Sequence, residues 1–297
     1  MKLLNKYKVD SLELNDSTRS KLNEKFIKLP CGTTHYALEG NGDKKAVLVH
    51  GYATPLFIYD KIAEGLTKNG FTVLRYDLLG RGLSDRVDSD YSHSVFVRQL
   101  EELTDAVFGN ESFFLVGTSM GGAITAAFTA KNPDKVKKLV LLAPAGMKFD
   151  VPAHMKISNI KGIGEIMFRT AGASILTASC AKEIIYSGED VRSSYTDRFA
   201  FHMQYKGMLK ATLYSLRNTI LNFDDSLKAY KGVADSNIPV LVIWGTNDKT
   251  MPYYQAETMQ KVVPQMKLIT YEGSGHIFLY DEGDRTLNDI IPFFETN

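Results

Sequence analysis

The chain predicts an α/β fold: a mostly parallel sheet with helices on both faces, interrupted by one long helical insertion. Three observations carry that expectation. Short apolar runs rich in valine, leucine and aromatics alternate with stretches whose apolar residues recur every three or four positions. One such run, Ser112 to Val116, passes through Gly117-Thr118-Ser119-Met120-Gly121 into the alanine-rich stretch Ala123 to Ala130. From Met147 to about Val233 the apolar residues scatter at helical spacings instead.

Taken in order, residues 1–24 are polar and weakly patterned and read as an N-terminal arm. Met1-Lys2-Leu3-Leu4 resembles the opening of a signal peptide, but Asn5, Lys6, Lys8 and Asp10 arrive before any apolar segment forms. Residues 25–146 and 234–297 read as one α/β core. Lys25 to Leu29 and Thr34 to Leu38 are two strands around Pro30-Cys31-Gly32, an antiparallel edge. Ala46 to Val49 is a short buried strand ending at His50-Gly51-Tyr52, and Ile58, Ile62 and Leu66 mark the helix after it. Phe71 to Tyr76 is a strand that runs into the loop Asp77 to Asp85. Phe96, Leu100, Leu103 and Val107 line one helix face, closed by Gly109-Asn110. After the alanine-rich helix come the strand Lys138 to Leu142 and the insertion, residues 147–233, a helical lid. Strand character resumes over Pro239 to Trp244 and Lys267 to Tyr271, with a last helix near Leu287 to Phe294.

A length of 297 residues suits one large domain with an insertion. Thirty-five basic against thirty-four acidic residues give no electrostatic footprint for nucleic acid, which favours a neutral small-molecule partner. No apolar run approaches the roughly 20 residues that span a bilayer. Cys31 and Cys180 lack metal-ligand spacing and read as free thiols in a reducing, cytoplasmic setting.

Gly117 and Gly121 flank Ser119 two positions away on either side, the spacing a strained strand-to-helix turn needs if a serine is to be presented at the sheet edge, open to solvent. The same turn opens a helix, so the Met120 N–H can point at charge developing beside Ser119. Asp248 and His276 each lie just past a later strand, in the chain order serine, aspartate, histidine. A carboxylate behind an imidazole fixes its tautomer, and an imidazole beside a serine takes the hydroxyl proton. An isolated turn aspartate ordinarily caps a helix or faces water; its place in that order favours the catalytic role here. His50 competes as the base, since it also follows a central strand. The loop after this strand is where a second oxyanion N–H belongs, so Tyr52 is expected to supply one while His50 braces the turn.

These residues together resemble the α/β-hydrolase superfamily, from His50-Gly51-Tyr52 through Asp77-Leu78-Leu79-Gly80-Arg81-Gly82 and Gly117-Thr118-Ser119-Met120-Gly121-Gly122 to Asp248 and Gly275-His276. The resemblance implies an eight-stranded, mostly parallel sheet, a structural role for Asp77 and Arg81, and a lipase-like serine hydrolase working without metal or cofactor. It also implies that Ser119, His276 and Asp248 act as a triad. Serine at the elbow separates the chain from the dehalogenases and epoxide hydrolases, which carry aspartate there. Carbon–carbon bond hydrolases usually place Asn before the serine and Trp after the histidine, where this chain has Thr118 and Ile277. The expected substrate is a short- or medium-chain ester or a monoacyl lipid, its acyl pocket drawn from Met147, Phe149, Met167 and Phe168. Cleavage of a vinylogous diketone and ligand sensing without catalysis stay open as alternatives.

Overall fold

The computed structural model describes residues 6–296, the side chain of Cys180 aside, so the readings of Met1-Lys2-Leu3-Leu4 and of the Cys180 thiol lie outside it. Eight strands form one sheet in the order β1-β2-β4-β3-β5-β6-β7-β8. They are β1 (Lys25–Leu29), β2 (Gly32–Glu39), β3 (Lys44–Val49), β4 (Phe71–Tyr76), β5 (Phe113–Thr118), β6 (Val136–Leu142), β7 (Val240–Gly245) and β8 (Lys267–Tyr271). The pairs β1/β2 and β2/β4 are antiparallel, and every other neighbouring pair is parallel. All six residues of β5 and of β7 are buried, which is why these strands read as continuous apolar runs.

Two consecutive phenylalanines at the start of β5 show how both faces are covered. Side chains alternate along a strand, so Phe113 and Phe114 point opposite ways. Phe113 meets Phe108 and Phe128, on the helices His93–Phe108 and Met120–Lys131. Phe114 meets Phe294, on the helix Gly283–Glu295, with ring centroids 4.5 Å apart. Aromatic pairs of this kind contribute roughly 0.5–1.5 kcal/mol beyond their buried area.

Between β6 and β7 the described residues form helices and connecting turns only. The last of these helices, Phe223–Asp235, packs on Met120–Lys131 so closely that a side chain at Gly232 would sit 2.5 Å from Ala130 Cβ. The earlier ones include Ala173–Lys182 and Glu189–Met203, and two single π-helical turns, Phe168–Gly172 and Leu216–Ile220. The N-terminal arm is bound to this insertion. Asp10 N–H donates to Met203 O at 3.0 Å, Leu12 N–H to Gln204 O at 2.9 Å, and Lys206 N–H returns to Leu12 O at 2.9 Å. Further along the arm, Asn15 caps the one-turn helix Asp16–Arg19, and the buried Arg19 pairs with Asp85 at 2.6 Å. Among the described residues no helix is long and apolar enough to cross a membrane.

Candidate active site

Ser119 stands on the turn between β5 and the helix Met120–Lys131, with φ 52° and ψ −122°. Left-handed backbone of this kind costs a non-glycine residue about 1–3 kcal/mol, so its surroundings must enforce it. They do so through hydrogen bonds. Ser119 N–H donates to Leu142 O, and its carbonyl accepts from Gly122 and Ala145 N–H, all at 2.9 Å. The flanking glycines are required by contact: a Cβ on Gly121 would lie 2.2 Å from Val49 O, and one on Gly117 2.4 Å from Thr125 Oγ1.

Asp248 and His276 follow β7 and β8, so they share the carboxyl edge of the parallel sheet with Ser119. His276 Nδ1 meets Asp248 Oδ2 at 2.7 Å. The other oxygen, Oδ1, accepts from Thr250 and Met251 N–H at 2.9 and 2.6 Å. The buried Trp244 indole closes that loop by donating to Met251 O at 2.9 Å. Burial on its own would push the His276 pKa down; Asp248, with help from Glu183, outweighs it and holds the pKa above the ordinary histidine value. With Asp248 accepting the Nδ1 proton, the neutral ring keeps its lone pair on Nε2.

His50 is occupied at both nitrogens. Nε2 accepts from Leu78 N–H at 2.9 Å, so Nδ1 carries the proton and donates to Gly51 O at 2.9 Å. Burial pushes its pKa down to about 4, leaving a neutral brace with no nitrogen to spare for a substrate. The loop it braces lies against the serine, since a Cβ on Gly51 would be 3.1 Å from Ser119 Cβ and 3.7 Å from Oγ. The Tyr52 carbonyl in that loop accepts from Arg81 Nε at 3.0 Å, and Thr54 Oγ1 meets Tyr195 of the insertion at 2.5 Å.

Ser119 does not face solvent; it is 6 % exposed, with Asp248 and His276 equally buried. The Gly51 loop stands against its side chain, and the insertion contacts this edge through Tyr195, which meets Thr54, and through Glu183, whose Oε2 accepts from His276 N–H at 2.9 Å. Neither contact is anticipated from sequence. Of the residues expected around an acyl pocket, Met147 and Phe168 are buried, while Phe149 and Met167 are half-buried. Met147 follows the Ala145 that hydrogen-bonds Ser119, and Phe149 packs edge-on against Phe223.

A family profile described as serine aminopeptidase S33 matches residues 40–283. The chain is 26% identical to lipase 3 of Moraxella sp. strain TA144, over 94% of this chain and 86% of that protein. It is also 26% identical to a 2-hydroxy-6-oxononadienedioate/2-hydroxy-6-oxononatrienedioate hydrolase of Dechloromonas aromatica, over 91% and 94% of the two chains. Among solved structures, an esterase from Exiguobacterium antarcticum superimposes with a TM-score of 0.76 at 17% identity, covering 92% of this chain and all of that one. The profile match over most of the chain's length leads to one assignment: the chain belongs to the serine aminopeptidase S33 family of α/β-hydrolases.

Proposed function

We propose that the protein is a serine hydrolase cleaving carboxylic esters of short or medium acyl chain, or of the monoacyl-lipid type, through an acyl-enzyme. The observation that carries this reading is the 2.7 Å Asp248–His276 pair at the sheet edge that also bears the strained Ser119 turn. In this reading His276 Nε2 takes the proton from Ser119 Oγ as the oxygen attacks the acyl carbon. Asp248 holds the ring and stabilises the imidazolium. The backbone N–H groups of Met120 and Tyr52 take the negative charge of the tetrahedral intermediate. The C–O bond then breaks, the alcohol leaves with the proton from His276, and water repeats the sequence to free the acid. The helical insertion serves as the lid, with Met147, Phe149, Met167 and Phe168 near the acyl chain.

A second reading, hydrolysis of a carbon–carbon bond in a vinylogous diketone, is favoured by the Dechloromonas relative. Thr118 and Ile277, where such enzymes usually carry Asn and Trp, weigh against it. The test is labelling with a fluorophosphonate beside turnover of p-nitrophenyl esters and a ring-cleavage diketone. The expected outcome is label on Ser119 in the wild type, none in Ser119→Ala, and ester turnover that disappears in a folded Ser119→Ala protein. Ester turnover undiminished in that variant would sink the reading, and a clear preference for the diketone would replace it with the second.

A further inference from the structure

Glu183 is a buried carboxylate, 7 % exposed, that the hydrolytic steps above do not use. It comes from the insertion, one residue past the helix Ala173–Lys182. Its two oxygens face two different loops of the core: Oε2 accepts from the backbone N–H of His276 at 2.9 Å, and Oε1 from the Thr250 hydroxyl at 2.8 Å. Thr250 in turn donates its N–H to Asp248. One carboxylate thus spans the loop that bears the imidazole and the loop that bears its aspartate partner. The approach is close enough to restrict the sequence beside it, because a Cβ on Gly275 would lie 2.8 Å from Glu183 O and 3.1 Å from Oε2.

The segment after Glu183 is held to the core by a separate contact. Asp281 accepts from the N–H groups of Ile185, Tyr186 and Ser187 at 2.7, 2.8 and 2.7 Å. Docking of the insertion at this corner therefore has its own device, which touches neither His276 nor Thr250. A buried carboxylate placed on the backbone of one loop and the side chain of the other needs a different explanation.

We propose that Glu183 is a positioning residue: a carboxylate carried by the insertion that fixes the His276 loop against the Asp248 loop and so aims the imidazole. The proposal rests on reading His276 as the base. Among the described residues, the charged groups acting on His276 are Asp248 from the core and Glu183 from the insertion. Glu183 therefore adds a second negative charge that stabilises the imidazolium formed when the serine proton is taken. The insertion contributes to the chemistry as well as covering it. Its departure would loosen the base at the same moment as it admits substrate.

The experiment compares Glu183→Ala, Glu183→Gln and Asp281→Asn with wild type by kcat and KM on a p-nitrophenyl ester, by the pH profile of kcat/KM, and by an NMR titration of 15N-histidine-labelled protein with His276 assigned. Glu183→Ala should lower kcat by about 10²-fold with KM little changed, the scale of a misplaced catalytic group. Glu183→Gln keeps an acceptor for His276 N–H and a donor for the Thr250 hydroxyl, so it should restore most of that rate. Having lost the charge, it should also move the His276 titration and the acid limb of kcat/KM to lower pH. Asp281→Asn should leave both where they stand in wild type. An unmoved His276 titration in Glu183→Gln overturns the proposal, as does Asp281→Asn reproducing the changes, since docking alone would then account for them. Should Glu183→Ala fail to fold, the Gln variant and the titration still decide. The titration needs no substrate, so a shifted His276 in a protein that neither cleaves esters nor takes the label would overturn the ester reading and leave the positioning role standing.

Discussion

Two buried histidine–aspartate pairs stand among the described residues, and they differ in what meets the far ring nitrogen. His276 Nδ1 lies 2.7 Å from Asp248, and His35 Nδ1 lies 2.6 Å from Asp77. At His35 the second nitrogen faces Glu24 at 3.2 Å, and Asp77 also accepts from Leu56 and Leu83 N–H, both at 2.8 Å. Burial by itself would lower the His35 pKa, but the two carboxylates outweigh it and hold it up at about 9. Asp77 is held well below the usual carboxylate range; burial opposes this, and the charge on His35 prevails. That pair is a charged rivet between β2 and two loops. At His276, among the described residues, nothing hydrogen-bonds Nε2, and the spare oxygen of Asp248 is taken by its own loop. The same two side chains are thus closed at both ring nitrogens in one place and left with an open Nε2 in the other, as the proposed base requires.

Neutralising each aspartate in turn should separate the two pairs most strongly. Asp248→Asn should lower kcat by roughly 10⁴ in a folded protein, because the wrong tautomer then faces the serine. Asp77→Asn should do the reverse, leaving kcat per folded molecule close to wild type. It should cost about 3–5 kcal/mol in urea unfolding, as expected when one partner of a buried charge pair is removed. A stable but inactive Asp77→Asn protein would erase the distinction.

A smaller effect concerns pH. As the proposed base, His276 would act only when neutral, and its pKa stands above the ordinary value, so kcat/KM should fall with acid at a pH above about 6.5. An acid limb lying below that value would contradict the raised pKa. For His35 the sign concerns stability. A folded pKa raised to about 9 gives stabilisation fully present below the ordinary 6.5 and lost as pH rises through about 9. Urea midpoints of wild type should decline across that window, and those of His35→Gln should stay nearly level.

The mildest expected change separates pocket from packing within the insertion. Phe149→Ala or Met167→Ala should shift the preferred acyl length in a p-nitrophenyl ester series while the shortest ester still turns over. An unchanged profile in folded variants would assign both side chains to helix packing, as the Phe149–Phe223 contact already suggests for one of them.

The sheet and the serine turn were legible because each rests on local rules. Buried strands give unbroken apolar runs, and a strained turn gives glycines at fixed distances from Ser119. Asp248 and His276 followed from chain order, since each must end a strand at the same edge. The His35–Asp77 rivet was not legible: it joins β2 to the end of β4, and either residue alone reads as an ordinary polar position. Glu183 was missed for a related reason. It sits between two helices, beside Ile184-Ile185-Tyr186, a short non-helical connection inside a region read as wholly helical. That break in periodicity was the available signal. The burial of Ser119 depends on segments distant in sequence meeting at the sheet edge, the Gly51 loop among them, which no local pattern encodes.

The strip of arm that pairs with the insertion sets an order on synthesis. Asp10 leaves the ribosome roughly 190 residues before its acceptor on Met203. At about 5–20 residues per second, that is a delay of roughly 10 to 40 seconds. Throughout this interval β1 to β6 can be made and the serine turn formed, while residues 10–12 lack their backbone partners on the insertion. Residues 10–12 must therefore stay unclaimed by the earlier strands, a demand that the arm's polar, weakly patterned sequence meets better than an apolar one would. Residues 10–12 are among the earliest made, yet their place in the fold is fixed only once Gly207 has emerged, which makes them a clasp closed late in assembly.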